Sequence, residues 1–221
     1  MRSKAEVLYS LKDKNKHFLI PKMIYFSRRE WDKKRSLLIR KISHTFKGAK
    51  VAIRSSSTKE DTKNFSNAGR YLSFLNISSK NKKLVTKKIE NIFFDYTSKH
   101  KKNYRDQILI QEMVKNVKMS GVIFSQDLEN GAPYYCINYD DITGKTNTVT
   151  SGLNRYSNKS LYILRGKEKA LRSERFIKII RATKELEKKL NSDRLDIEFS
   201  LDKKGSFVLF QVRGLKKIKR L

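Results

Sequence analysis

The chain has 221 residues, with 51 Lys+Arg against 22 Asp+Glu and a formal charge of +29. Hydrophobic residues make up 38% and aromatics 10%, enough for one large domain or two small lobes with a packed core, which excludes global disorder. No uninterrupted apolar run nears the roughly 20 residues of a membrane span, and the N-terminus lacks the apolar segment of a signal peptide.

The positive field attracts polyanions: nucleic acid, anionic lipid or nucleotide phosphates. Its basic residues are spread along the whole chain, and Lys, Asn, Ile and Ser are plentiful, so compositional bias explains part of the charge as readily as a polyanionic partner does. Cys136 is the only cysteine, which excludes an intrachain disulfide and fits a reducing cytoplasm. His17, His44 and His100 lie far apart, without metal-ligand spacing.

Residues 3–14 read as a short helix capped by Ser3, with Ala5, Leu8 and Leu11 on its apolar face and Lys4 in its first turn. Residues 17–26 are apolar and interrupted by Pro21, hence extended. From Ser27 to about Phe46 a helix is expected. Ser27 and Glu30 have capping-box spacing, and Trp31, Leu37, Leu38, Ile42 and Phe46 supply the buried side.

Gly48 ends that helix, and Lys50–Arg54 forms a strand running into Ser55, Ser56 and Ser57. Small hydroxyl residues after a strand permit close backbone approach to a ligand, and successive N–H groups there can hold an anion. A long polar loop follows, then a strand over residues 71–75. Residues 80–100 carry apolar residues at helical spacing. Strands are expected at 108–114, 119–125, 134–139 and 160–164, with further extended chain over 148–152. Residues 173–190 form the longest late helix, with Phe176, Ile179, Ile180, Leu186 and Leu190 inward.

The final hairpin holds the densest chemistry. Leu195–Leu201 alternates strictly, with Asp196 and Glu198 on one face. Asp202-Lys203-Lys204-Gly205 is a turn. The returning strand is expected to put Val208, Phe210 and Val212 on one side and Leu209, Gln211 and Arg213 on the other. Two carboxylates, an amide and a guanidinium would then share a surface. Such oxygens suit Mg²⁺, which binds through one or two carboxylates and completes its shell with phosphate and water, and Arg213 suits a phosphate. The same pattern also describes a solvated hairpin face. Mixed helices and antiparallel hairpins make the class α+β. Neither GxxxxGK[ST] nor GxGxxG occurs.

Four blocks in order carry a resemblance. Ser3-Lys4-Ala5-Glu6-Val7-Leu8 resembles the opening Gly-Lys-Ala-x-x-Leu of pyruvate phosphate dikinase and phosphoenolpyruvate synthase. Val51-Ala52-Ile53-Arg54-Ser55-Ser56, Glu60-Asp61, Ser66-Asn67-Ala68-Gly69 and Phe74-Leu75-Asn76 resemble their V-x-V-R-S-S…E-D…S-x-A-G…F-L-N block. Ile110–Val114 and Ser120–Ser125 resemble Q-x-M-V…S-G-V-x-F-[ST], and Leu195–Phe199 with Leu209–Arg213 resembles the closing D-I-E-W…Q-x-R.

The resemblance implies the ATP-grasp fold of that family's nucleotide-binding domain: antiparallel sheets with flanking helices in two lobes and the nucleotide in the cleft between them. The lobes would be residues 1–110, with the Arg-Ser-Ser loop, and residues 111–221. It implies that Lys4, Arg54, Ser55 and Ser56 meet phosphates, that Gln111 with the Met113 and Val114 backbone borders adenine, and that Asp196, Glu198 and Gln211 hold Mg²⁺ and polyphosphate. Arg213, with Lys4 and Arg54, would neutralise the transferring charge. The implied activity is phosphoryl transfer from Mg-ATP to a histidine on a swivelling domain, which here would sit on another chain. Residues 138–145 replace an acidic, glycine-rich segment and are similar to dikinase-like proteins of polysaccharide pathways, including the L-glutamine kinase type. The closing Gln-Val-Arg-Gly stands where the family has Gln-x-Arg-Pro. The competing expectations are a basic nucleic-acid-binding protein and a nucleotide-binding remnant without turnover.

Overall fold

A computed structural model describes residues 2–12, 15–57, 72–99, 101–146 and 157–215. The chain divides into two compact units, Met1–Val7 with Pro21–Met113, and Leu8–Ile20 with Val114–Leu221. Hydrogen bonding carries the first unit as far as Met113: the Glu112 N–H donates to Lys22 O and the Met113 N–H to Lys50 O, both 2.9 Å, tying these residues into the first sheet. Residues 8–20 join the second unit because Leu19 bonds to its last strand. The Leu19 N–H donates to Phe207 O and the Leu209 N–H to Leu19 O, each at 2.8 Å.

In chain order the elements are α1 (Lys4–Leu11), β1 (Met23–Ser27), α2 (Arg28–Phe46), β2 (Lys50–Ser56), β3 (Ser73–Ser78), α3 (Lys82–Lys99) and β4 (Gln107–Glu112). The second unit adds β5 (Val117–Phe124), β6 (Tyr134–Asp140), β7 (Lys159–Leu164), α4 (Glu174–Leu190), β8 (Leu195–Asp202) and β9 (Phe207–Gly214). None of the described helices is long and apolar enough to cross a membrane. The expected stretch over 148–152, the Glu60-Asp61 pair and the Ser66–Gly69 block lie outside the described residues.

The first unit is a four-stranded antiparallel sheet in the order β1-β4-β2-β3. Alternation places Ile24, Phe26, Val51, Ile53, Ile108 and Ile110 on one face, where they form a single core with residues of α2 and α3. α2 begins with the expected box. Ser27 Oγ accepts the Glu30 N–H at 3.2 Å, and the Glu30 carboxylate accepts the Ser27 N–H at 2.7 Å. Trp31, Leu38, Ile42 and Phe46 face inward as expected, but Leu37 is 59% exposed. Steps of seven, four and four residues keep those four on one stripe, and Leu37 falls off it.

The second unit is a five-stranded antiparallel sheet in the order β7-β6-β5-β8-β9. One face buries Met119, Ile123, Ile137, Ile197 and Phe199, and α4 brings Phe176, Ile179, Ile180 and Leu186 into the core. Tyr139 meets Phe176 edge-on at 5.3 Å, and Phe199 stacks on Phe207 at 5.1 Å. Gly121 of β5 has no room for a side chain. A Cβ there would lie 2.3 Å from Asn138 O and 3.1 Å from the Phe199 ring.

Candidate functional site

In the first unit, Ser3 and Glu6 make a reciprocal cap at the start of α1. Ser3 Oγ accepts the Glu6 N–H at 3.2 Å and the Glu6 carboxylate accepts the Ser3 N–H at 2.9 Å. That turn is fastened to two strand ends. The Ala5 N–H donates to Ser56 Oγ at 2.9 Å, Ser3 Oγ donates to Gln107 Oε1 at 2.6 Å, and Gln107 Nε2 donates to Glu6 Oε1 at 2.8 Å. Lys4, the first helical residue, is therefore held beside Ser56.

Arg54 precedes Ser56 by two residues on β2, so both lie on the sheet face opposite α2 and α3. Arg54 stands across from Leu109 on β4 and from Ser73 on β3. Gln111, buried, stands across from Ala52 on the same face. The first-unit candidates therefore run along one strand pair in the order Lys4 and Ser56, Arg54, Gln111. Ser55 pairs with Ile108 and faces the helices, set apart from Arg54 by the two-residue period. Ser56 is buried, and its own N–H donates to the Tyr96 hydroxyl at 2.6 Å. Ser57 Oγ donates to Asp106 Oδ1 at 2.7 Å. The hydroxyls of Ser56 and Ser57 thus build the end of the strand. The Met113 N–H is engaged by Lys50 O, which leaves the Met113 carbonyl as its remaining backbone hydrogen-bonding group.

In the second unit the hairpin pairs Asp196 with Arg213 and Glu198 with Gln211, so all four side chains share one face. Arg213 Nε donates to Asp196 Oδ2 at 2.7 Å, and Nη2 makes an ion pair with the same oxygen at 2.6 Å. Both side chains are largely buried, at 13% and 5% exposure. Glu198 is half-buried and Gln211 buried.

The returning strand departs from simple alternation. A register shift after Glu198 sets Leu209 opposite Phe199 and Val208 opposite Ser200, with Phe210 the extra residue. Leu209 therefore belongs with the core, not with Gln211 and Arg213, and Val208 joins the polar side. A bulge inserts one residue and reverses the facing of everything beyond it.

Sequence reasoning missed the remainder of this face. Ser120 pairs with both Asp140 and Ser200, and Val122 with both Asn138 and Glu198. Asp140 is buried and holds the following turn, its Oδ1 accepting the N–H groups of Ile142 at 2.8 Å and Thr143 at 3.0 Å. The signal available was an Asp with Thr three residues on before a glycine, an Asx-turn pattern. Ser200 Oγ is buried with no hydrogen-bond partner among the described residues. That hydroxyl lies two residues from Glu198, on the same face of β8.

At the rim, Lys159 and then Arg175 hold the Asp141 carboxyl below its ordinary value, with ion pairs of 2.7 and 2.8 Å. Among the described residues, no three His, Cys, Asp or Glu side chains are grouped to hold a metal unaided. Two carboxylates and an amide form an oxygen-only donor set, which fits a hard cation that brings phosphate oxygens as its other ligands.

Residues 33–140 match the family model described as pyruvate phosphate dikinase, AMP/ATP-binding domain. Over those residues the chain is similar to that domain, and its fold is ATP-grasp. No curated protein matches it by sequence. Among solved structures it is similar to the D-alanine–D-alanine ligase from Coxiella burnetii, at 10% identity and a TM-score of 0.54, covering 96% of this chain and 47% of the ligase. The ATP-complexed D-alanine–D-alanine ligase from Bacillus anthracis gives 14% identity and a TM-score of 0.51, covering 96% and 54%. PH1788 from Pyrococcus horikoshii gives 15% and 0.54, covering 97% and 89%. The chain spans about half the length of these ligases. The resemblance noted in the Arg-Ser-Ser and Ser-Gly-Val blocks falls within the matched residues.

Proposed function

We propose that this chain is the Mg-ATP-binding module of a dikinase-type phosphotransferase, acting in the cytoplasm and passing a phosphoryl group to a histidine on a separate domain or partner. The observation that carries the reading is the Asp196–Arg213 and Glu198–Gln211 pairing on one polar face. In this reading Glu198 and Gln211 hold the cation. Asp196 fixes the Arg213 guanidinium, aiming its remaining N–H groups at phosphate oxygens, and also lies within the cation's donor set. Mg²⁺, when bound, neutralises the phosphate charge that grows during transfer. Lys4 and Arg54 meet phosphate oxygens, with the Ser55 and Ser56 backbone beside them. Gln111 and the Met113–Val114 backbone border the base. Transfer of this kind needs positioning and charge stabilisation more than covalent chemistry, and these residue types supply both.

The test is phosphorus NMR of ATP incubated with the chain, Mg²⁺ and a separately produced phosphohistidine domain. ATP loss that requires that domain, accompanied by a phosphohistidine resonance, is the expected result. ATP binding without loss under any condition would leave a nucleotide-binding remnant and refute the transfer. A second reading, nucleic-acid binding, is favoured by the charge of +29 alone. It predicts oligonucleotide binding that weakens steeply with salt and that ATP does not compete for.

A further inference from the structure

The second unit contains a cavity that the nucleotide reading does not use. It has a volume of about 350 Å³ and lies where α4, the β8–β9 turn and residues 15–19 meet. Phe18 and Phe207, both buried, give it apolar walls, and Lys16, His17, Lys178 and Arg181 line it. α4 packs on the core face of the sheet, so the cavity is on the layer opposite to Glu198 and Gln211.

The cavity is framed at two points. On one side the Glu185 carboxylate accepts the Lys16 N–H at 3.0 Å and the His17 N–H at 2.8 Å. On the other, Leu19 bonds to β9 through Phe207 and Leu209, each at 2.8 Å. Residues 15–19 therefore form a strap between helix and sheet. Asn15 Nδ2 donates to Phe18 O within it. Lys178 and Arg181, three residues apart on α4, share one helical stripe with Glu185.

The charge is one-sided. Among the described residues no carboxylate pairs with Lys178 or Arg181, although ion pairs are common elsewhere on α4. A Cβ on Gly205 would lie 3.2 Å from Lys178 Nζ, so that ammonium reaches over the turn. Lys203 and Lys204 precede Gly205 in the turn, both exposed. The two acids nearby are turned to backbone: Glu185 to the strap, and Asp202 to the Ser206 N–H at 2.8 Å. Burial pushes the Glu185 carboxyl up, but the Lys16 and His17 N–H groups and Lys189 outweigh it and hold it below its ordinary value, and among the described residues its ion pair is with Lys189.

We propose that this cavity is a second anion site, taking a small ligand with one or more phosphoryl groups and a compact apolar portion. A guanidinium fork beside an ammonium matches phosphate oxygens, and the volume lies in the range of small-molecule pockets. The two phenylalanine walls suit a ring or short aliphatic body rather than an extended polymer backbone. The site is independent of the nucleotide reading and stands without it.

Calorimetric titration of the full chain with inorganic pyrophosphate, at physiological salt, tests it. The wild type, the Lys178→Gln/Arg181→Gln double variant and Arg54→Ala are compared, with citrate as the carboxylate arm. Both α4 side chains are exposed, and unfolding curves confirm that the double variant is folded. We expect saturable pyrophosphate binding that weakens at least tenfold in the double variant, stays within twofold in Arg54→Ala, and exceeds citrate binding. In parallel, pyrophosphate should protect Lys178 from acetylation in the wild type. Equal affinity in wild type and double variant, loss only in Arg54→Ala, preference for citrate, or no saturable binding with Lys178 unprotected would each overturn the proposal.

Discussion

Asp196→Ala is the most informative single perturbation of the hairpin. It removes the carboxylate that accepts from Arg213 Nε at 2.7 Å and pairs with Nη2 at 2.6 Å, and leaves a guanidinium that is 13% exposed. Breaking a buried pair by deleting one partner costs about 3–5 kcal/mol. In a chain of this size each 1 kcal/mol lowers the melting temperature by about 2–4 °C, so the expected drop is roughly 6–20 °C. Urea unfolding and calorimetry measure it. Asp196→Leu with Arg213→Met removes both charges and should recover most of the loss, since an apolar pair of similar volume is often neutral. A single variant within about 1 kcal/mol of wild type would refute the argument that the pair is buried and interdependent. So would a double variant no more stable than the single.

Three further outcomes follow from the geometry. Gly121→Ala forces a methyl to within 2.3 Å of Asn138 O, a backbone atom, and should destabilise by about 3 kcal/mol in urea unfolding. Arg165→Ala removes the side chain that donates to Ser125 O at 2.6 Å, to Asp193 O at 3.0 Å and to the Tyr135 hydroxyl at 2.9 Å. With its pairing to Glu187 also lost, the expected cost is about 3 kcal/mol or more, against less than about 1 kcal/mol for exposed Arg172→Ala. Asp141 is held below its ordinary carboxyl value in the fold, so its contribution is present above about pH 4 and is lost as pH falls through the folded value. Unfolding curves from pH 6 to pH 2.5 should show a steeper acid loss in wild type than in Asp141→Asn.

The hairpin was legible because seven alternating residues can face only two ways. Asp196 and Glu198 had to share a side, and the Gly205 turn brought Gln211 and Arg213 back beside them. The bulge at Phe210 was not legible, because Val208–Val212 reads as uninterrupted strand and no glycine announces the extra residue. The α2 cap could be read from Ser27 and Glu30, which lie three residues apart. The α1 cap was half visible: Ser3 was evident, but its attachment to Gln107 joins residues about a hundred positions apart. The same distance hid the partition of residues 8–20, which depends on Leu19 finding β9. Arg165 stood in a turn with no local pattern, and its partners come from the residue after β5, from β6, from α4 and from the α4–β8 connection. Local periodicity carries faces and caps, whereas bulges and buried polar junctions are decided by contacts that periodicity does not contain.

The central claim is that the Arg54 set and the Glu198 set act on one metal-bound nucleotide. Equilibrium binding of ATP to the wild type, Arg54→Ala, Glu198→Ala and the double variant, with and without Mg²⁺, tests it most directly. Mg²⁺-dependent affinity that falls at least tenfold in each single variant, with a double loss smaller than the two combined, is the predicted result. ATP affinity unchanged in both folded single variants, or indifferent to Mg²⁺, would contradict it.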